Sequence, residues 1–388
     1  MMFTNRVILR NFSVTNKLRC NNKLKDLLES AATGLDQQPV SKENTWYTSP
    51  YPEGAVFDKR DQGKKVDRLK VDPRDTSIIM FPGQGSQYVG MAEKLMKIPE
   101  SRDMFQIAKE VLGYDLLEIC LKGPKHKLDQ TVYAQPAIAV TSLASLERLK
   151  ESRPNAIETC VATSGFSLGE ITALIFAGSI PFDEGIKLIQ IRAEEMQKAS
   201  ERYPSGMATI FYGPDSSLGE ACTKAKEWCI ERGIENAECQ IANYLFPHCK
   251  VVAGSLEALN FLDKNKQQFK LRKIKRLPVN GAFHTKLMAS AVEPFRKALS
   301  KIRLNDPFIY VHSCIDGKIY KNAEQIYKQL PKQIIKPVRW EQLLHIMYER
   351  SKNEHFPKTF ECAPGNSLTS ILKEVNAKAW SSAINVEK

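Results

Sequence analysis

Paired cysteines are missing from this chain. It has nine cysteines, an odd number, and none stands in a C-x-x-C pair. That argues against a zinc or disulfide framework and for a reducing compartment. His248 and Cys249 are neighbours, but adjacent residues rarely ligate one metal, so no metal site is expected. No apolar run approaches the roughly 18 residues that a membrane span needs, so no membrane association is expected either. Internal repeats and low-complexity segments are absent. The glycine-rich stretch "FPGQGSQ", residues 81–87, lacks the Lys-Ser/Thr ending of a P-loop and the spacing of a dinucleotide fingerprint. Acidic residues are absent from the first 25 positions, which carry Arg6, Arg10, Lys17, Arg19, Lys23 and Lys25.

Those six cations alternate with Phe3, Val7, Ile8 and Leu9 instead of flanking a continuous apolar segment. A basic, acid-free, amphipathic leader is the composition of a mitochondrial transit peptide, here residues 1–25. Residues 26–74 are polar, with prolines at 39, 50, 52 and 73, and read as a lead-in. The formal charge is +12; six of those charges belong to residues 1–25, so +6 remains without them. That residue of basic charge suits an anionic ligand or an acidic partner better than bulk nucleic-acid binding. With 388 residues, 43% hydrophobic and 26% charged, the chain has the composition of one large globular domain or two ordinary ones.

The folded part opens at "TSIIMFPGQGSQ", a short apolar strand from Ile78 to Phe81 running into a glycine-rich turn. In "QPAIAVTSLASLERLKE", Ile138, Leu143, Leu146 and Leu149 fall largely on one helical face. "CVATSGFSLGEITALIFAGSI" reads as strand, sharp turn and helix, with Gly178 placed to end the helix. "EGIKLIQIRAEEMQKASE" is a second helix, with Arg192 and Met196 four apart on one side. Residues 203–277 change texture into a shorter β-α-β-α-β run, the pattern of a compact inserted α+β domain. The larger pattern resumes at "LPVNGAFHTKLM".

Within "SGFSLGE" the spacing G-x-S-x-G matches a nucleophile elbow, where small residues permit the strained turn that lifts a serine hydroxyl clear of a sheet. Alone, this spacing arises by chance in roughly one chain of this length in ten, so its surroundings decide. A serine needs a base, and His284, in a loop just before a helix, is the best placed of six histidines. It also needs donors for a developing oxyanion. The backbone N–H of Leu168 opens the following helix, and the glycines of "FPGQGSQ" allow a second N–H to approach.

"FPGQGSQ", "GFSLGE" about 80 residues later, "IRAEEMQ", "GAFH", "KPVRW" and "ECAPGNSL" occur in one order. Together they resemble the malonyl-CoA–acyl carrier protein transacylases, and with the leader they resemble the mitochondrial members. The resemblance spans about residues 72–380. It implies an α/β-hydrolase-like large domain (75–202 and 278–388) with an inserted ferredoxin-like α+β domain (203–277). It implies Ser167 as nucleophile, His284 as general base, and the amides of Gln84 and Leu168 as oxyanion hole. Arg192 is implied to pair with the malonyl carboxylate, and the backbone carbonyl of Gln333, not an acidic residue, to orient His284. Phe283 resembles the position associated with malonyl over methylmalonyl. The implied partners are malonyl-CoA and acyl carrier protein; the implied enzyme is a monomer of the mitochondrial matrix, without cofactor or metal. A serine esterase or thioesterase needs the same elbow, and a non-catalytic partner of acyl carrier protein would tolerate loss of Ser167 or His284. The sequence departs from the family pattern at Phe166, where bacterial members have histidine, at Leu245 in "NYLFP", and at Ala363 in "ECAPG".

Overall fold

The computed structural model describes residues 72–350 and 354–387. The leader 1–25 and the lead-in as far as residue 71 lie outside the described residues.

Short apolar runs become the strands of the first sheet. These are β1 (Ser77–Phe81), β2 (Cys160–Gly165), β7 (Tyr310–His312), β9 (Lys358–Glu361) and β10 (Ala383–Asn385), in the order β10-β9-β1-β2-β7. All four pairings are parallel. A parallel sheet needs crossovers and helices over its faces, which is why β1 and β2 are buried along their whole length. The crossovers include α1 (Pro99–Leu112), α2 (Thr131–Ser152), α3 (Leu168–Phe176) and α4 (Phe182–Ser200). The one-sided face expected for α2 is too narrow. It is buried on every side from Ala134 to Leu146, because α1, α3 and α4 all pack on it. Small residues such as Ala137, Ala139, Ser142 and Ala144 allow that close enclosure.

The second sheet has the order β6-β3-β5-β4-β8. It comprises β3 (Ser205–Phe211), β4 (Cys239–Phe246), β5 (Cys249–Ser255), β6 (Lys273–Arg276) and β8 (Val338–Arg339). With α5 (Leu218–Glu231) and α6 (Leu256–Lys264) the inserted segment runs β-α-β-β-α-β, one strand more than the sequence pattern predicts. The added strand is β4. Its alternation is broken by register shifts between Ile241 and Asn243 and between Tyr244 and Phe246, so no clean period of two shows in the sequence. β3, β5, β4 and β6 pair antiparallel, while β8, supplied from far down the chain, joins β4 in parallel. One face of this sheet packs on α5 and α6 through Ile210, Val252, Cys222 and Leu259. The other sends Met207, Ala242, Val251 and Ala253 into the main core. The molecule is an α/β fold with a small inserted domain.

Candidate active site

The end of β2 carries the strained turn of the G-x-S-x-G elbow. Ser167 has φ 53 and ψ −106, outside the ordinary regions for a side chain, and directly precedes α3. Such a conformation costs about 1–3 kcal/mol and persists only when its surroundings enforce it. Here they do. A Cβ on Gly165 would lie 1.8 Å from the carbonyl carbon of Gly169, and a Cβ on Gly169 would lie 2.2 Å from the Phe81 carbonyl oxygen. The strand and helix meet so closely that only glycine fits at either position.

The elbow brings Ser167 Oγ to 2.8 Å from His284 Nε2, across 117 residues of sequence. His284 also has a positive φ, 62°, and its Nδ1 lies 2.8 Å from the Gln333 carbonyl oxygen. The acceptor carbonyl fixes the tautomer: Nδ1 carries the proton and donates, leaving Nε2 to accept from the serine. Burial, then the nearby Arg192 charge, push the imidazole down to about 4, so it is neutral at physiological pH. Gln240 of β4 donates from Nε2 to the His284 carbonyl at 2.9 Å, tying the insert to the His284 loop.

Arg192 of α4 is 1% exposed. Its guanidinium donates to Gln135 Oε1 at 2.7 Å, to Gln333 Oε1 at 2.7 Å and to Ser167 Oγ at 3.1 Å. Among the described residues it makes no ion pair. Burial pushes it down to about 10, so it stays charged at neutral pH. The two residues placed on one side of α4 by spacing both reach Gln135: Arg192 through its guanidinium, Met196 through Sδ at 3.7 Å from Gln135 Nε2.

The loop after β1 lies against the elbow. Phe166 N–H donates to the Phe81 carbonyl at 2.9 Å, and a Cβ on Gly83 would come within 2.4 Å of the Phe166 carbonyl oxygen. Gln84 follows immediately. Among the described residues, no loop or cap bond draws on the N–H of Gln84 or of Leu168. Phe166 stacks edge-on against Trp340 with ring centres 5.4 Å apart. Phe283 is buried in the main core beside Gly281, adjacent in sequence to His284. Among the described residues, no group of three or more His, Cys, Asp or Glu side chains is placed to hold a metal ion.

Sequence reasoning missed four groups. Gln135 links Gln84 to Arg192, with 3.4 Å between Gln135 Nε2 and Gln84 Oε1. Glu170, Cys314 and Tyr320 form a buried cluster behind the elbow. Glu170 lies inside "GFSLGE", so it was visible, but its partners come from the loops after β7 and could not be paired from spacing. The Gln333 side chain is a further surprise, since only its main-chain carbonyl is implied by the motif.

The Acyl transferase domain family matches residues 78–354 of the chain. The probable malonyl-CoA-acyl carrier protein transacylase, mitochondrial, of Drosophila melanogaster is 57% identical over 319 residues, covering 82% of this chain and 84% of that protein. The mitochondrial malonyl-CoA-acyl carrier protein transacylase of Homo sapiens is 49% identical over 310 residues, covering 80% of each. Among solved structures, an acyl carrier protein S-malonyltransferase from Vibrio cholerae superimposes with a TM-score of 0.71 at 29% identity, covering 80% of this chain and 96% of that one. The matched region contains the elbow, the imidazole loop and the guanidinium helix together, and the chain belongs to the acyl transferase domain family, among the malonyl-CoA–acyl carrier protein transacylases.

Proposed function

We propose that this enzyme moves the malonyl group from malonyl-CoA to the phosphopantetheine thiol of acyl carrier protein, through a malonyl ester on Ser167. The observation that carries the reading is the buried, charged Arg192 beside the nucleophile. A guanidinium without a carboxylate partner, 3.1 Å from Ser167 Oγ, is a place for an acyl group that brings its own carboxylate.

The chemistry runs in two halves. Ser167 Oγ attacks the thioester carbonyl carbon while His284 Nε2 takes its proton. The N–H groups of Gln84 and Leu168 receive the negative charge on the carbonyl oxygen. The C–S bond then breaks, and the imidazolium returns its proton to the departing CoA sulfur. In the second half, His284 takes the proton of the carrier thiol, the thiolate attacks the ester carbonyl, the C–O bond to Ser167 breaks, and the proton goes back to Ser167 Oγ. The Gln333 carbonyl holds the imidazole through both halves and accepts from Nδ1–H as it charges, in the place an acidic residue occupies in a Ser-His-Asp triad. Each step transfers an acyl group and a proton, so the cycle balances without a cofactor. Phe283 is assigned to exclude a branched acyl group.

The reading divides the chain into an acyltransferase domain (75–202 and 278–388) and a ferredoxin-like insert (203–277), acting as a monomer. The mitochondrial names of the relatives and the basic composition of residues 1–25 support a matrix enzyme that supplies mitochondrial fatty acid synthesis. No described helix is long and apolar enough to cross a membrane.

Mass spectrometry of the protein incubated with malonyl-CoA tests the reading directly. A malonyl adduct is expected on the peptide containing Ser167, and Ser167→Ala should abolish both the adduct and transfer to the carrier. An adduct that persists in Ser167→Ala rejects the nucleophile.

A further inference from the structure

Glu170 sits in the first turn of α3 and is fully buried. Four donor groups, from Cys314, Tyr320 and Gln333, reach its carboxylate. The Cys314 N–H at 3.2 Å and the Tyr320 hydroxyl at 2.8 Å donate to Oε1. The Cys314 thiol at 3.0 Å and the Gln333 amide Nε2 at 2.7 Å donate to Oε2. Burial raises the carboxyl, and these bonds oppose that rise. Burial also pushes the Cys314 thiol and Tyr320 hydroxyl well above their ordinary ranges, so both keep their protons and remain donors. Glu170 is thus built as an acceptor on both oxygens.

That has a consequence for Gln333. A glutamine amide has one accepting end and one donating end. Glu170 and the Ser167 carbonyl, the latter 2.6 Å from Nε2, both require the donating end. The accepting Oε1 is left facing Arg192, at 2.7 Å. A flipped amide would set N–H against guanidinium and oxygen against both the carboxylate and the Ser167 carbonyl, three repulsive contacts in a buried site. A direct Glu170–Arg192 contact would instead fill the cation with an internal anion. Interposing the amide compensates the charge at one remove and leaves the guanidinium open toward Ser167.

We infer that Glu170 is a positioning residue. Through the Gln333 amide it keeps Arg192 aimed at the nucleophile, and so it sets the preference for acyl groups that end in a carboxylate. The inference rests on the malonyl reading above and names the residue behind its selectivity.

The test compares acylation of the full chain by malonyl-CoA and acetyl-CoA in the wild type, Glu170→Gln, Gln333→Leu and the double variant, with melting temperatures alongside. Gln333→Leu keeps the main-chain carbonyl for His284 but removes both arms of the amide. The malonyl-to-acetyl ratio of kcat/KM should fall at least roughly tenfold in each single variant, mainly through a raised KM for malonyl-CoA. The double variant should fall no further, because the two residues act in series. A purely structural role would depress both substrates alike and leave the ratio in place; a folded Glu170→Gln with the wild-type ratio overturns the inference. Should Glu170→Gln not fold, an unchanged ratio in Gln333→Leu overturns it, since the amide is the proposed route. A wild type that malonyl-CoA does not acylate overturns the functional reading instead, which separates the two failures.

Discussion

At the residue scale, His284, as the proposed base, sets the expected response of the site to pH. Its folded value of about 4 lies below the ordinary 6.5 because burial, then Arg192, disfavour the imidazolium. The reactive form is neutral, so kcat/KM for malonyl-CoA should be flat above about pH 5.5 and fall as pH drops through about 4, read from a pH–rate profile. The same shift bears on folding. The unfolded chain takes the proton near pH 6.5 and the folded one only near 4, so this group's stability contribution is complete above 6.5 and is lost as pH falls between the two. Its full size is roughly 3 kcal/mol. Urea unfolding at about pH 7 and pH 4.5 should therefore show a smaller drop for His284→Ala than for the wild type. Arg192 and Phe283 are the residues we propose to govern substrate choice. Arg192→Ala should lose about 3 kcal/mol, roughly a hundredfold, in kcat/KM for malonyl-CoA and much less for acetyl-CoA. Phe283→Ser should relax exclusion of methylmalonyl-CoA by about 1–3 kcal/mol. Competition among the three thioesters checks both, and a wild-type malonyl preference in Arg192→Ala would place the carboxylate clamp elsewhere.

At the element scale, the elbow depends on β2 and α3 approaching backbone to backbone. Gly165→Ala puts a Cβ 1.8 Å from main-chain carbon that no rotamer change can move. We expect a loss of about 3 kcal/mol or more, or failure to fold, measured by urea midpoint. Gly85→Ala is the contrast. Its φ of +107 strains an alanine, yet a Cβ there meets nothing within 4 Å, so the expected cost is only about 1–2 kcal/mol. The elbow was legible in the sequence because its geometry demands glycines at fixed offsets from the serine. β4 was not, because its bulges interrupt the alternation on which a strand is recognised. The enclosure of α2 was also hidden: an alanine- and serine-rich helix shows only its largest residues to a periodicity count.

Across the whole molecule, the insert is joined to the rest of the fold by several contacts among the described residues. β8 pairs with β4, Gln240 holds the His284 loop, and one face of the small sheet enters the main core. The basic run of β6 lies at the free edge of that sheet. There Arg276 is engaged by Asp263 and Asn260, and Lys270 lies 3.7 Å from Asp215. Arg272, Lys273 and Lys275 are exposed and make no ion pair among the described residues. We propose that they steer an acidic carrier protein. Reversing Arg272 and Lys275 to Glu should raise the KM for carrier several-fold at low salt, less at high salt, with acylation by malonyl-CoA unchanged. Carrier kinetics unaltered at low salt would reject this docking surface.

By itself the sequence determined the parts whose chemistry is local. A glycine-flanked serine, a loop rich in small residues and an arginine on one helix face each state a backbone requirement or a functional group within a few positions. The order of these motifs carried the family, and the serine, imidazole and guanidinium it singles out lie together in the fold. Only the tertiary structure decided how they are wired. Gln135, Glu170, Cys314, Tyr320 and the Gln333 side chain come from separate segments, and their value lies in distances of 2.6–3.4 Å that no spacing encodes. Hydrogen-bond partners buried together are chosen by the packing of whole elements, and a glutamine's two ends acquire direction only when a buried carboxylate and a buried guanidinium stand on either side of it.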